Sequence, residues 1–277
     1  MPDFALRGLK VAYSETGRGA PVLAIHGSAA TGRLWAPLAE GLGPHRRTIA
    51  PDLFGYGASA PWEDARDCAT DLDIVIELAR AQRAPVHLVG HSYGGALALR
   101  AAVELGAHAA SLALVEPAAF HILRLQRDPA WREIARVATR HVQLVEDGDL
   151  EACADVFMGY WIGAAAWAAS SPTLRAKVVA AMPKVADEWR GIFVESHSLA
   201  RYARLDLPAL LVRGTRTTAA AARVVDHLAG ALRDCTLAEI RDAGHMSPLT
   251  HGPAVAGAIA AHLGQVARPA IRVAEAA

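Results

Sequence analysis

Net charge is what this chain most lacks: its 277 residues carry 28 basic and 28 acidic side chains, scattered rather than blocked. A neutral surface has no electrostatic footprint for a nucleic acid or an anionic membrane, so neither is expected as a partner. Lysine is scarce too. Only Lys10, Lys177 and Lys184 occur, the other basic residues being arginine, a skew that with the abundant alanine reads as genome base composition rather than function. The three cysteines, Cys68, Cys153 and Cys235, are far apart, odd in number and without CxxC spacing, which excludes a disulfide framework and a zinc site. No run of about 18 apolar residues is present, and the first residues lack a basic segment followed by an apolar one, so the expected compartment is the cytoplasm. No HExxH or close His/Asp/Glu cluster occurs, and no metal is expected.

What the chain does have is apolar residues, 53% of the total, and a length at which about three quarters of the unfolded surface is buried. The first half alternates short apolar runs with helical spacing, the pattern of a mainly parallel sheet covered by helices. Strands are expected at Leu9 to Glu15, Val22 to His26, Arg47 to Ala50, Val86 to Val89 and Ser111 to Val115. Between them, helices are expected from Asp64 to Gln82 and from Tyr93 to Leu105. After Pro117 the next ninety or so residues show helical spacing with no convincing strand, broken near Asp147-Gly148, Ser171-Pro172 and Met182-Pro183. Alternation resumes with strands at Leu207 to Arg213 and Thr236 to Ile240, and helices at about Ala219 to Leu232 and Pro253 to Val266. The tail from Arg268 to Ala277 is expected to be mobile.

The strongest chemical signal is Val86-His87-Leu88-Val89-Gly90-His91-Ser92-Tyr93-Gly94-Gly95, a strand running into Gly-x-Ser-x-Gly and then a helix. The glycines relieve crowding around a strained turn that lifts the Ser92 hydroxyl clear of the sheet at a helix N-terminus. A serine hydroxyl needs a positioned base to act as a nucleophile. His245, in Ala243-Gly244-His245 just after the last strand, emerges at the same carboxyl edge of the sheet. A carboxylate must then orient the imidazole, and Glu116 directly follows the strand Ser111 to Val115, 24 residues beyond Ser92. Asp226 and Asp242 remain alternatives.

These segments, with His26-Gly27-Ser28 and Pro51-Asp52-Leu53-Phe54-Gly55-Tyr56-Gly57, resemble an α/β-hydrolase from about residue 9 to 263. The resemblance implies a mainly parallel eight-stranded sheet flanked by helices, with nucleophile, acid and base in that chain order. It also implies an oxyanion hole formed by the backbone N–H groups of Ser28 and Tyr93, with His26 and Asp52 tying loops together. The usual family aspartate after the seventh strand is missing, because Gly214-Thr215-Arg216-Thr217 places threonine there. Some haloalkane dehalogenases and zearalenone-type lactone hydrolases carry a glutamate after the sixth strand instead, and the segment at Glu116 is similar to theirs. Residues 1–117 and 206–277 then form the core and 118–205 a helical cap, whose Phe120, His121, Trp131, Trp161 and Trp189 are expected as pocket walls.

Serine at position 92 argues against epoxide hydrolases and haloalkane dehalogenases, which use an aspartate nucleophile. The expectation is hydrolysis of a small-molecule ester or lactone through an acyl-enzyme, with no cofactor, in a monomer or homodimer. Carbon–carbon hydrolysis of a ring-cleavage dienoate, or ligand binding without catalysis on the same fold, are the alternatives.

Overall fold

The computed structural model describes residues 1–65 and 70–266. Eight strands, β1 Asp3–Leu6, β2 Leu9–Thr16, β3 Ala20–Ile25, β4 Arg46–Pro51, β5 Val86–His91, β6 Ala109–Val115, β7 Ala209–Gly214 and β8 Cys235–Ile240, form one sheet in the order β1-β2-β4-β3-β5-β6-β7-β8. From β4 to β8 the neighbours run parallel, while β2 pairs antiparallel with both β1 and β4. The helices are α1 Ala36–Leu42, α2 Trp62–Ala65, α3 Asp71–Arg80, α4 Ser92–Leu105, α5 His121–Leu125, α6 Trp131–Glu146, α7 Leu150–Ile162, α8 Ala164–Ala168, α9 Pro172–Val194, α10 Leu199–Tyr202, α11 Ala219–Ala231, α12 Ser247–Thr250 and α13 Gly252–Val266.

The sheet is covered on both faces, which is why its central strands read as continuous apolar runs rather than alternating ones. Val22, Ala24, Val89, Val115 and Val212 point one way, onto Trp35, Leu38 of α1 and Val255, Ile259 and Leu263 of α13. Their neighbours Leu23, Ile25, Leu88, Leu114 and Leu211 point the other way, onto α3, α4 and α11. Helices α5 to α10 all fall between β6 and β7 in the chain. Among the described residues no helix is long and apolar enough to cross a membrane.

Three local differences from the sequence expectations have physical reasons. The single helix expected over 64–82 is α2 followed by α3. Thr70 caps α3, its hydroxyl accepting the Asp73 N–H while the Asp73 carboxylate accepts the Thr70 N–H, so the helix has a defined start at Asp71. The break expected at Met182-Pro183 is absent, and α9 runs through it. Pro183 has no N–H for the Val179 carbonyl, but burial of Val178, Met182, Val185 and Trp189 along the helix outweighs that one missing bond. Strand β1, four residues long and mostly exposed, lacks the alternation that would reveal it. Cys153 and Cys235 are free thiols. Cys68 and the tail from Arg268 to Ala277 lie outside the described residues.

Candidate active site

Strand β5 delivers Ser92 to the sheet's carboxyl edge, where the chain turns directly into α4. Ser92 adopts a φ of +51°, a left-handed conformation that costs an L-residue energy and persists only because the surroundings enforce it. The glycines make the turn possible. A Cβ on Gly90 would strike the Gly94 carbonyl, and one on Gly94 would strike the carbonyls of Ile25 and His26 on the neighbouring strand. Tyr93 is in the first turn of α4, so its N–H has no carbonyl of its own helix to bond.

His245 reaches Ser92 from the loop after β8, its Nε2 2.9 Å from the serine Oγ. On the other side of the ring, Nδ1 is 2.7 Å from Oε2 of Glu116. With an ionised carboxylate at Glu116, Nδ1 carries the proton and Nε2 is free to accept one from the serine hydroxyl. Glu116 is wholly buried and stands immediately after β6 with a φ of +43°. Its Oε1 accepts the Gly214 N–H at 2.7 Å, and its Oε2 also accepts the Thr217 hydroxyl at 2.5 Å. Burial by itself raises this carboxyl's pKa, but the hydrogen bond and charge of His245, with the Gly214 and Thr217 donors, outweigh it and hold the group below the usual carboxylate range. The threonine at the family's aspartate position thus grips the glutamate. Asp226 is bound to Arg213 at 2.6 Å and to Arg223 at 3.2 Å, and Asp242 to Arg216 at 2.7 Å, so both alternatives are committed elsewhere.

The loops around this chain of contacts are tied together by further side chains. His26 donates from Nδ1 to the Gly27 carbonyl at 2.7 Å and accepts the Leu53 N–H on Nε2 at 3.0 Å. The Asp52 carboxylate accepts the N–H groups of Gly32 and Ala58, each at 2.9 Å. His91, beside the serine, donates from Nε2 to the His245 carbonyl at 2.9 Å, and burial foremost pushes its own pKa down to about 3, leaving it neutral. Sequence reading passed over His91, since a variable position inside the motif carries no signal of its own.

The insertion between β6 and β7 closes over Ser92. Trp161 of α7 stacks on the His245 ring, centroids 3.9 Å apart at 24°. The cavity above the serine measures only about 10 Å³, the space of roughly one water. Its walls include Ser28, Phe120, Phe157, Trp161, Glu188, Trp189 and Ile192. Of the expected wall residues, Phe120, Trp161 and Trp189 are there. Trp131 instead packs on Phe193 at 4.7 Å, and His121 pairs with the Tyr202 hydroxyl at 3.2 Å. A larger cleft of about 530 Å³ lies beyond Glu188, lined by Trp62, Tyr93 and Lys184 among others, but Ser92 and His245 are not in its wall. The candidate site is therefore defined by the serine, imidazole and carboxylate rather than by cavity size. Among the described residues no His/Cys/Asp/Glu group is arranged to hold a metal.

Comparison with known proteins bears on the family and the fold. A family model described as the alpha/beta hydrolase family matches residues 22–258. The chain is 30% identical over 257 residues to the pimeloyl-[acyl-carrier protein] methyl ester esterase of Chromobacterium violaceum, covering 91% of this chain and 97% of that one. It is 40% identical to lipase LipV of Mycobacterium tuberculosis, but over 100 residues only, 36% of this chain and 38% of that protein. Among solved structures, the enol-lactonase from Burkholderia xenovorans LB400 superposes with a TM-score of 0.73 at 20% identity, covering 95% of this chain and all of that one, a likeness of fold.

Proposed function

The chain belongs to the alpha/beta hydrolase family, and from that premise we propose that it is a serine hydrolase of carboxylic esters or lactones. One observation carries this reading. Ser92, His245 and Glu116 form a continuous hydrogen-bonded chain at 2.9 and 2.7 Å, on three different strand ends, under an apolar roof.

In the proposed mechanism the Ser92 oxygen attacks the acyl carbon as its proton passes to Nε2 of His245. The Glu116 carboxylate stabilises the imidazolium that results and fixes the proton of the neutral ring on Nδ1. The N–H groups of Ser28 and Tyr93 receive the developing oxyanion, each donor contributing about 3 kcal/mol of transition-state stabilisation. Collapse expels the alcohol, protonated from Nε2. Water, deprotonated by the same nitrogen, then releases the acid and regenerates Ser92. No step calls for a cofactor. The described residues of 1–117 and 206–277 serve as the core and 118–205 as the cap that shapes an apolar substrate pocket. The name of one relative that covers nearly the whole chain, a methyl ester esterase, supports this chemistry.

Carbon–carbon hydrolysis would use the same three residues. Its dienoate substrates carry a carboxylate, yet among the described residues no arginine or lysine lines the cavity and Glu188 does, which favours the uncharged ester. Initial rates of wild type and Ser92→Ala on p-nitrophenyl esters of increasing acyl length and on lactones test the proposal. Turnover that depends on the serine is expected; turnover untouched by Ser92→Ala, or none on any ester or lactone, would overturn it.

A further inference from the structure

Helix α9 buries two charged residues one turn apart, Lys184 and Glu188, which the proposed mechanism does not use. Charges are buried only with partners, so each hydrogen-bonding atom can be followed to its end. The Lys184 ammonium bonds Oδ2 of Asp71 at 2.5 Å and faces Oε1 of Glu188 at 3.7 Å, above the rings of Tyr56 and Tyr93. Asp71 is saturated: Oδ1 accepts the Phe54 N–H at 3.1 Å and Oδ2 also accepts the Tyr93 hydroxyl at 3.0 Å. Glu188 is not. Its Oε1 accepts the Tyr56 hydroxyl at 2.7 Å and the Ser28 hydroxyl also stabilises the charged carboxyl, but Oε2, sealed from solvent, makes no well-formed hydrogen bond among the described residues.

Two carboxyls share one ammonium, which leaves the cluster one positive charge or one proton short. Burial, only partly offset by Lys184, accordingly lifts Glu188 to a pKa of about 7. The unsatisfied carboxyl is also in the right place. Glu188 belongs to the wall of the cavity over Ser92, with Ser28 facing its carboxyl, while the rest of that wall from the insertion is apolar. In its ionised form, the carboxyl left with an open acceptor at the edge of a reaction cavity is a cost in the empty protein that a ligand donor removes.

Building on the ester-hydrolase reading, we propose that Glu188 is a specificity-determining residue whose Oε2 accepts a hydrogen bond from a hydroxyl or amine borne near the scissile carbonyl. The preferred substrates are hydroxy- or amino-substituted esters with an otherwise apolar body. Tyr56 and Lys184 hold the carboxyl by its other oxygen, so it cannot turn away to satisfy itself.

The test uses matched pairs: ethyl 3-hydroxybutyrate against ethyl 3-methylbutyrate, ethyl 2-hydroxybutyrate against ethyl 2-methylbutyrate, and ethyl 3-aminobutyrate as a third arm. Wild type is expected to favour a substituted member over its methyl counterpart by at least about tenfold in kcat/KM. Glu188→Leu removes that preference. Glu188→Gln, which keeps an acceptor and the side chain's shape, retains part of the hydroxyl preference and loses that for the amine. Calorimetric binding of the intact esters to Ser92→Ala, and to Ser92→Ala with Glu188→Leu, reads the same preference without turnover. A preference for the substituted esters that Glu188→Leu abolishes in binding supports the assignment even where Ser92 proves not to be the nucleophile. No preference in wild type, or an equal loss on both members of each pair in the variants, overturns it and leaves Glu188 a structural brace.

Discussion

Replacing Glu116 by glutamine removes one charge while preserving shape, and the contacts of Glu116 dictate how the amide must sit. Gly214 offers an N–H to Oε1 at 2.7 Å, so the amide oxygen takes that place and the NH₂ takes the place of Oε2. There it meets Thr217, whose hydroxyl can turn to accept, and Nδ1 of His245 at 2.7 Å. An NH₂ facing Nδ1 forces the ring to accept there and to carry its proton on Nε2, the tautomer that cannot receive the Ser92 proton. The opposite amide orientation would set two donors against each other at Gly214 in a fully buried site. Lost imidazolium stabilisation and the wrong tautomer together should lower kcat by roughly 10³ to 10⁴, a rise of about 4 to 5.5 kcal/mol in the barrier. KM should barely move, since the carboxylate does not line the cavity. Steady-state rates on the best p-nitrophenyl ester measure this, with thermal unfolding to establish that the variant folds. A folded Glu116→Gln within tenfold of wild-type kcat would refute the role given to Glu116.

Ser92→Ala should retain the fold and lose ester turnover to background, read by the same assay and by circular dichroism. Trp161→Ala, which removes a nearly buried ring from the face of His245, should cost about 3 to 5 kcal/mol in denaturant unfolding. It should also raise kcat/KM for long acyl chains relative to short ones, because it enlarges a cavity of about 10 Å³; an unchanged chain-length ranking would refute Trp161 as a wall of the acyl site. Glu188 is raised from an ordinary carboxyl value of 4.5 to about 7 in the fold, chiefly by burial. The folded state therefore binds the extra proton, and stability should fall by about 3 kcal/mol as pH rises from about 4.5 to about 7, then level off. Asp71, Lys184, Tyr56 and Ser28 face this carboxyl, and Glu188→Gln leaves them in place while removing the titration. Denaturant midpoints from pH 5 to 8 should be flatter for that variant than for wild type; parallel curves would exclude Glu188 as the titrating group.

Gly90, Ser92 and Gly94 were legible in the sequence because their demands are local. A strand, a strained turn and a helix must follow within ten residues, and the crowding that requires glycine involves backbone that the fold always brings there. Glu116 was legible from its place at a strand end, since parallel strands deliver their carboxyl ends to one edge. The start of α3 and the continuity of α9 through Pro183 were less so. One depends on a Thr70–Asp73 cap that competes with the apolar spacing, the other on tertiary burial that overrides a local breaker. Trp131 and His121 could not be told from Phe120, Trp161 and Trp189 by spacing, because every one of them is an aromatic ring on, or just before, a helix of the insertion, and which face looks at Ser92 depends on how those helices pack.

By itself, then, the sequence determined the sheet and its helices, the serine turn and the histidine loop, through short-range sterics and apolar periodicity. Only the tertiary structure decided that Thr217 grips Glu116 across 101 positions, that Trp161 lies on His245, and that Lys184 meets Asp71 across 113. It alone put Glu188 in the wall above the serine, with one carboxyl oxygen lacking a well-formed hydrogen bond among the described residues. Those are hydrogen bonds and contacts between segments far apart in the chain, and their energies depend on burial that exists only once the insertion has closed over the sheet.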